Sequence, residues 1–559
     1  MNVLEKIRAY GDPALCLHVP QTCAEGIPFA VKDNIDVAGM PTTAGCSSFA
    51  YQPNADAVVV ARLRAAGHVP VAKTNLDQFA TGLVGTRSPY GTPRNPFDAS
   101  RIPGGSSSGS ACAVAAGLVP FAFGTDTAGS GRVPAALQNL VGLKPTKGWL
   151  STRGVVPAVR SLDCVSVFAL TVEEAWRVAT IASGYDIDDP FSRQRPELQL
   201  PRVSLPPGSL RIGMPTAEQL EGIVQPGLLA RYRAAAAHLS ALGHTLVEVD
   251  YAPFLAAAEL LYGGAWVAER TAAIGDFLDS APAGVDPIVG GIIRAGRAHD
   301  AVAAWRGTYA LAQHRRAADG QWQQMDVLLL PTVCSYPTLA DVQADPIAIN
   351  SRLGRFTNFA NLLDTCALAV PAGFADGLPA GVTLFAPAWH DGVLAQVGAA
   401  LQDRLIAVEG LTLGALGTKP DQPQHIELQH DGITVAVFGA HLSDQPLNGL
   451  LRAWGATFVS TCVTEPVYRM HLLAGGLRRP GLVRVASGGV AIAGELWRLP
   501  AAGFGRLVES VTSPLAIGTV ECAEVGSVKG FVCEAVGAQG TRDISDYRNW
   551  RGFLAGTSS

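Results

Sequence analysis

Blocks of hydrophobic residues alternate with polar turns along the first three-quarters of the chain. Residues 26–38 and 68–74 are rich in β-branched residues and are predicted to be short strands that end in polar turns. Residues 56–67, between them, have helical spacing and end at a glycine. Further apolar runs alternate with Ala-rich helical stretches, as at 210–215, 325–333 and 381–387. Because a mixed or parallel sheet covered by helices produces this alternation, the pattern predicts one large α/β domain over residues 1–415.

The pattern changes after this domain. Residues 416–428 carry two prolines among polar residues and are predicted to be a linker. From residue 433 onward, the runs ITVAVFGAH, GLVRVAS and GVAIAGELWRL alternate at strand spacing with Gly-rich turns. The sequence therefore predicts a smaller α+β domain over residues 429–559.

Composition limits the kinds of ligand, cofactor and cellular location that we expect for the chain. Hydrophobic residues make up 48% of the chain and charged residues 16%, so most of the chain is expected to fold. A net charge of −5 gives no basic stripe and argues against nucleic acid as a partner. We find no secretory signal at the start and no uninterrupted apolar run of ~18 residues, so we expect a cytoplasmic protein without membrane contact. The ten cysteines form no zinc-type cluster, and we expect neither a metal nor another cofactor.

A Gly/Ser-rich segment at residues 104–132 encloses an apolar helix and a predicted strand, whereas a flexible linker would stay polar and repetitive. Within it, GSSSG also matches the G-x-S-x-G nucleophile elbow, which would make Ser107 the nucleophile. An elbow follows an apolar strand, but the preceding NPFDASRIP contains two prolines, an Asp and an Arg. The elbow interpretation is therefore disfavoured.

The same segment resembles the amidase signature family. GGSSSGSA is followed by GTDTAGSGRVPAA, which places Ser106 and Ser130 24 positions apart, and GIPFAVKDNID and VGLKPTKG flank them at the expected places. The resemblance implies an α/β/α sandwich around a large mixed sheet. By position in the motif, it implies that Lys32 is the catalytic lysine, Ser106 a bridging serine whose peptide bond is cis, and Ser130 the nucleophile.

The chemistry of these residue types supports the same roles. A serine hydroxyl is a weak nucleophile until a base removes its proton, and a lysine can be that base only where burial or neighbours lower its pKa. An arginine could not serve, because it stays protonated. Lys32 is one of only seven lysines in the chain and lies in an apolar strand, and Ser106 would relay the proton to it.

The turn around Ser130 has a second predicted function. Ser130 stands between two glycines at the start of a predicted helix, where free backbone N–H groups can converge on a developing oxyanion. The residues predicted to form this oxyanion hole are Thr127, Ala128 and Gly129, with the N–H of Ser130 beside them. Asp126 and Arg132 bracket the turn and are predicted to support it through charge-assisted hydrogen bonds.

Other lysines and histidines are weaker candidates for the base. Lys73 also ends an apolar strand but lies outside the motif. Lys144 and Lys147 flank a proline in what we interpret as a loop and are predicted to be surface charges. No histidine occurs in residues 69–237, so a Ser-His-Asp triad would need a distant imidazole.

Within the family, the chain most resembles the allophanate hydrolases, through residues 80–96, the turn TDTAGSGR and the extra C-terminal domain. Such enzymes hold the carboxylate of their substrate with a Tyr and an Arg eight positions apart, and Tyr262 and Arg270 have that separation. Gly82 would offer its carbonyl to the amide nitrogen. Allophanate is a small anion with a terminal amide, and a guanidinium can bind its carboxylate through two hydrogen bonds.

The resemblance also implies that the chain releases ammonia from allophanate in urea degradation and nitrogen metabolism. The C-terminal domain would assist decarboxylation of the product, N-carboxycarbamate, with His441 and His471 as candidate groups. We expect a homodimer, and functional coupling to a urea carboxylase, although ring-opened triazines could supply allophanate through biuret.

Two alternatives stay open at this point. The chain could be another amidase-signature enzyme, either a general carboxylic amidase or the A subunit of a tRNA-dependent amidotransferase. It could also be a scaffold that kept the fold without activity, although the presence of Lys32, Ser106 and Ser130 argues against that.

Overall fold

A computed structural model of the chain describes residues 2–194, 210–419, 432–443, 445–475, 478–523 and 525–556. The described residues fall into two compact units, one within 2–419 and the other within 432–556. Most of the predicted linker at 416–428 lies outside the described residues, so its bounds stay a prediction. No described helix is long and apolar enough to cross a membrane.

The described part of the first unit contains an 11-stranded mixed sheet. Its strands are β1 (Cys16–His18), β2 (Ile27–Lys32), β3 (His68–Thr74), β4 (Phe121–Thr125), β5 (Val141–Lys144), β6 (Val165–Ala169), β7 (Arg211–Pro215), β8 (Thr245–Val249), β9 (Val327–Pro331), β10 (Thr365–Ala375) and β11 (Leu378–Pro387). Their order across the sheet is β1-β3-β2-β4-β6-β5-β10-β11-β9-β7-β8. Strand β2 is parallel to both β3 and β4, whereas β5, β6, β10 and β11 are joined by antiparallel pairs.

Helices accompany this sheet along the whole unit. They are α1 (Val3–Ala9), α2 (Val58–Ala65), α3 (Ser108–Ala115), α4 (Val133–Leu137), α5 (Val172–Ala182), α6 (Pro226–Ala241), α7 (Ala252–Gly263), α8 (Trp266–Asp279), α9 (Pro287–Ala295), α10 (Ala301–Trp322), α11 (Leu339–Ala344), α12 (Pro346–Leu353), α13 (Phe359–Leu362) and α14 (Asp391–Glu409). Every residue of β3, β4, β6 and β9 is buried, so both faces of the sheet are covered. The predicted strands, helices and mixed covered sheet are confirmed.

The start of the sheet shows how the local sequence positions the site. In β2, the run Phe29–Lys32 is buried, and this apolar strand carries Lys32 at its last position. Helix α2 connects β2 to its parallel neighbour β3, as the helical spacing of residues 56–67 predicted. The lysine therefore ends a central strand of the sheet.

The second unit is an α+β domain, as predicted. Its described elements are β12 (Ile433–Val437), α15 (Asn448–Ala453), β13 (Thr457–Val463), β14 (Tyr468–Leu473), β15 (Arg479–Arg484), β16 (Ala493–Leu499), α16 (Ala501–Ser510), β17 (Leu515–Cys522), β18 (Gly526–Cys533), α17 (Ala535–Ala538), β19 (Arg542–Asp543) and α18 (Trp550–Gly556). Five strands form one sheet in the order β13-β16-β12-β18-β17, and three form another in the order β15-β14-β19. Buried aromatic residues such as Trp497 and Trp550 lie in its core.

Candidate active site

Lys32 is fully buried and its ammonium lies among hydroxyl groups. Its Nζ donates a hydrogen bond of 2.7 Å to Ser106 Oγ and another of 2.7 Å to Thr125 Oγ1. Thr125 ends β4, the parallel neighbour of β2, so the two side chains leave the sheet at the same edge. The structure therefore brings two of the three predicted catalytic residues into contact.

Burial lowers the pKa of Lys32 to about 7, whereas an ordinary lysine titrates near 10.5. The negative charges of Asp77, Asp163 and Asp126, in that order, oppose this lowering. Near neutral pH a substantial fraction of Lys32 is consequently uncharged. A neutral lysine that touches a serine hydroxyl can remove a proton from it.

The peptide bond between Gly105 and Ser106 is cis, as the resemblance to the amidase signature family implies. Ser106 is fully buried, and its carbonyl accepts the N–H of Asp77 at 3.0 Å. The N–H of Gly105 donates to the carbonyl of Leu83 at 2.8 Å. Both residues of the cis peptide are thus tied to the segment that follows β3.

Ser130 lies in a tight turn between β4 and α4 and is 2% exposed. The Gly129 backbone has φ +148°, and a Cβ there would lie 2.4 Å from Thr357 Oγ1. The Gly129 carbonyl accepts the N–H of Val133 at 2.7 Å, which starts the helix beside the serine. The Ser130 hydroxyl makes no hydrogen bond to another described residue, so the structure does not close the predicted link from Ser106 to Ser130.

A buried ion pair supports this turn. Asp126 accepts two hydrogen bonds of 2.9 Å from the guanidinium of Arg132 and one of 3.0 Å from the N–H of Gly131. Arg132 also donates to the carbonyl of Thr357 at 3.1 Å. Burial opposes ionisation of Asp126, but Arg132 and the Gly131 N–H hold its pKa below the usual value. The prediction that Asp126 and Arg132 act as structural supports is confirmed.

The predicted oxyanion hole has free donors. Within the described part of the chain, no hydrogen bond uses the N–H of Thr127, Ala128, Gly129 or Ser130. Asn361 Nδ2 donates to the carbonyls of Asp126 at 2.7 Å and Thr127 at 3.1 Å. Because C=O and N–H point in opposite directions in a trans peptide, fixing these carbonyls directs the next N–H groups away from Asn361. Asp163 fixes the turn further by accepting the Thr127 hydroxyl.

Tyr262 and Arg270, predicted to bind the substrate, are in contact. Tyr262 lies in the last turn of α7, and Arg270 lies on α8 and is 1% exposed. Arg270 Nη2 donates to the Tyr262 hydroxyl at 3.2 Å, and its guanidinium lies 5.2 Å from the centre of that ring. Arg270 Nη1 donates to Thr81 Oγ1 at 2.8 Å, next to Gly82. Its buried Nε has no partner among the described residues.

Arg270 also acts on the turn of the predicted nucleophile. Burial raises the pKa of Asp163, and the charge of Arg270 is among the groups that oppose this. Since Asp163 also holds the Thr127 hydroxyl, it links the charge of Arg270 to the predicted oxyanion hole. The structure thus groups residues from β2, the 81–87 loop, the Ser130 turn and α8.

Four residues of this site were not predicted from the sequence: Thr81, Thr125, Asp77 and Asp163. Thr125 had a usable signal, because it directly precedes Asp126 in the turn motif GTDTAGSGR. Thr81 and Asp163 had none, since their partners lie far away in the sequence; Thr81 and Arg270 are 189 positions apart.

The other candidate lysines bond to groups outside the predicted catalytic triad. Lys73 is buried and forms an ion pair of 3.1 Å with Asp33, which accounts for its position without a catalytic role. The prediction that Lys144 is a surface charge is wrong: it is fully buried, and its Nζ donates to the carbonyl of Pro145 at 2.7 Å. The reason is that Lys144 ends β5, which lies inside the sheet between β6 and β10. Lys147 is half-buried and donates to the carbonyl of Asn361 at 3.2 Å, so it too is not a free surface charge.

In the second unit, the structure separates the two candidate histidines. His441 lines a cavity of about 210 Å³ with Arg479, Thr512 and Phe531. Its ring stacks on Phe531 at 4.8 Å, and burial, together with the charge of Arg479, lowers its pKa to about 4. His471 lies on β14 outside this lining, with Nδ1 3.3 Å from Thr541 Oγ1.

Comparison with known proteins shows which families the chain resembles. The amidase family model matches residues 9–394, and the model of the allophanate hydrolase C-terminal domain matches residues 433–555. Urea amidolyase from Saccharomyces cerevisiae is 44% identical over 544 residues, which is 95% of this chain but 29% of that protein. The chain thus spans less than a third of the length of this relative. The A subunit of the glutamyl-tRNA(Gln) amidotransferase from Symbiobacterium thermophilum is 37% identical, over 67% of this chain and 82% of that protein.

The solved structure of allophanate hydrolase from Kluyveromyces lactis matches with a TM-score of 0.84 at 39% identity, over 99% of this chain and 96% of that chain. The fold and the family match define the chain as an amidohydrolase, which confirms the predicted enzyme class. The chain belongs to the amidase family. It has the domain architecture of an allophanate hydrolase, as predicted, whereas the amidotransferase relative leaves about a third of the chain unmatched.

Proposed function

We propose that the first unit hydrolyses the terminal amide of allophanate and releases ammonia. This choice of substrate rests on the surroundings of Arg270, a buried cation in contact with Tyr262 and Thr81. The Nε of Arg270 has no partner among the described residues. A guanidinium in this state is suited to a small carboxylate, which accepts two of its N–H groups at once. The name of the Kluyveromyces lactis relative supports the same substrate.

The proposed chemistry uses Lys32, Ser106 and Ser130. Neutral Lys32 takes the proton of Ser106, Ser106 takes that of Ser130, and Ser130 Oγ attacks the carbonyl carbon of the terminal amide. The N–H groups from Thr127 to Ser130 would receive the negative charge on the carbonyl oxygen. The bond from carbon to the amide nitrogen then breaks, and the proton held by Lys32 returns through Ser106 to the leaving ammonia.

The acyl group stays on Ser130 until water enters. The same relay removes a proton from this water, which attacks the acyl carbon and frees Ser130, and N-carboxycarbamate leaves. Support for this order comes from the contact between Lys32 and Ser106 at 2.7 Å and from a lysine pKa of about 7. We retain Gly82 as the proposed acceptor for the amide nitrogen, because it adjoins Thr81, a partner of Arg270.

For the second unit, we propose that the His441 cavity binds N-carboxycarbamate and assists its decarboxylation. Arg479 contributes a positive charge to the cavity, and its buried Nε has no partner among the described residues. His441 is neutral near pH 7, because its pKa is about 4, and would orient the ligand by hydrogen bonding. One carbon–nitrogen bond breaks to release CO₂, and the nitrogen gains a proton to leave carbamate. His471 is the weaker candidate, since it does not line this cavity.

The supply of substrate is also a proposal. The name of the yeast relative, urea amidolyase, supports urea as the source of the allophanate. Formation of allophanate by carboxylation of urea, and coupling to a urea carboxylase, stay predictions from the sequence. Breakdown of triazines through biuret is the other source. The homodimer and the cytoplasmic location stay predictions from the sequence.

The experiment that tests the substrate measures ammonia release by the purified chain from allophanate, malonamate, biuret and propionamide. We expect kcat/KM for the two carboxylates to exceed that for the two neutral compounds by ~10²-fold or more, the scale of a pair of charge-assisted hydrogen bonds. Similar values for all four compounds would contradict the substrate assignment. For the second unit, His441→Ala should leave the first ammonia release intact and slow CO₂ release, and unchanged CO₂ release would exclude His441.

A further inference from the structure

Asp77 is a fully buried carboxylate that takes no step in the proposed reaction yet contacts several parts of the site. Its own N–H donates to the carbonyl of Ser106 at 3.0 Å. Its Oδ2 accepts the N–H of Gly85 at 3.0 Å, and its Oδ1 accepts the N–H of Arg87 at 2.9 Å. One residue therefore joins the bridging serine to the loop at 81–87.

Two glycines of the site are explained by this carboxylate. A Cβ added to Gly105 would lie 2.1 Å from Asp77 Oδ2, and one added to Gly82 would lie 2.5 Å from the same atom. A Cβ at either position would displace the Asp77 carboxylate, so glycine at both positions leaves room for it. The cis peptide and the proposed substrate contact are thus packed against the same oxygen atom.

Asp77 and the proposed base contact the same serine, because the Asp77 N–H donates to the Ser106 carbonyl and Lys32 Nζ donates to Ser106 Oγ. Three acidic groups act on Lys32, namely Asp77, Asp163 and Asp126, and Asp77 acts most strongly. Burial raises the pKa of Asp77 itself, and the groups that oppose this are Arg87, the two N–H donors and Lys32. The charge of Asp77 stabilises the Lys32 ammonium, so its removal would make Lys32 easier to deprotonate.

We propose that Asp77 is a positioning residue of the active site, which holds the 81–87 loop against the Gly105–Ser106 peptide and presents a negative charge to Lys32. This inference rests on the proposed function, in which Lys32 is the base. The charge matters in both halves of the reaction, because Lys32 must accept a proton when Ser130 is activated and return it to the leaving ammonia. A general base works best when its basicity stays close to the pH of the medium.

The test is the pH dependence of kcat/KM for allophanate in Asp77→Asn, which keeps the shape of the side chain, loses its charge and leaves one acceptor oxygen for the N–H groups of Gly85 and Arg87. On the acid side of the pH profile, kcat/KM rises as Lys32 becomes neutral, and we call this rise the acid limb. A less stable ammonium loses its proton at lower pH, so the acid limb moves to lower pH. We expect a shift on the order of one pH unit. The matched control is Asp391→Asn, a carboxylate 4% exposed that accepts the N–H of Thr146 at 2.7 Å, and its limb should not move.

An unshifted limb in Asp77→Asn would overturn the proposal even if the rate falls, because a purely structural role changes the rate alone. Asp77→Glu restores the charge and should bring the limb back toward its original position. If turnover is too slow, the rate at which a fluorophosphonate labels Ser130 is followed against pH in the folded variant, with the same expected shift. Failure of the proposed function looks different: the unaltered chain would then show no acid limb near pH 7, or no labelling of Ser130, and both proposals would fall together.

Discussion

Replacing Arg270 by leucine tests the substrate of the first unit separately from its reaction class. In the structure this guanidinium donates one N–H to Thr81 and one to Tyr262, and its Nε has no partner among the described residues. A carboxylate that accepts two N–H groups from a buried guanidinium gains roughly 1.5–3 kcal/mol for each charged hydrogen bond. A net loss of about 3 kcal/mol corresponds to a fall of ~10²-fold in kcat/KM for allophanate.

The neutral substrate propionamide makes no such contact, so Arg270→Leu should change its kcat/KM much less. A small loss is expected, because removing Arg270 raises the pKa of Asp163 further and Asp163 holds the Thr127 hydroxyl beside the predicted oxyanion hole. Tyr262→Phe should weaken allophanate turnover in the same direction but by less, since it removes one neutral group.

The assay compares initial rates of ammonia release from allophanate and propionamide for these variants. The control is Arg233→Leu, which removes an exposed arginine paired with Glu221 in the same unit and should alter neither rate. Equal losses on the charged and the neutral substrate would show that Arg270 supports the fold. In that case the substrate assignment would be refuted, while the amidohydrolase class would stand.

Three further predictions concern the base and the nucleophile turn. Lys32→Arg should be inactive, because an arginine keeps its proton, and ammonia release well above background would refute the role of Lys32. In the unaltered chain, kcat/KM should rise with pH through a pKa of about 7, since Lys32 must be neutral, and a flat profile from pH 5 to 9 would contradict this. Asp126→Asn should lower the free energy of unfolding by ~3–5 kcal/mol in urea titrations, because Arg132 is left buried and unpaired. Glu174→Gln, at an exposed pair, should change it little, and equal effects would exclude a special role for Asp126.

The parts of the site that lie within one short segment could be predicted from the sequence. The apolar run before Lys32 predicted a buried strand end, and burial of that lysine follows from it. The glycines around Ser130, followed by an apolar helix, predicted a tight turn at a helix start. Asp126 and Arg132 are six positions apart, so their pairing across the turn could also be predicted.

Contacts between distant segments could not be predicted in this way. Thr81 and Arg270 meet only because the sheet and helix α8 bring them together. The position of Lys144 was wrong for a related reason: its neighbours suggested a loop, and only the strand order shows that β5 is an inner strand. Asp77 gave no signal because its role depends on two glycines at positions 82 and 105 that approach it in space.

The most direct test of the account is ammonia release from allophanate by the purified chain and by its Ser130→Ala variant. We predict steady turnover by the unaltered chain and none above background by the variant, with the same thermal unfolding midpoint for both, because Ser130 is the hydroxyl beside the free N–H donors of the predicted oxyanion hole and is proposed to form the acyl-enzyme. Turnover by a well-folded Ser130→Ala variant, or none by the unaltered chain, would contradict the account.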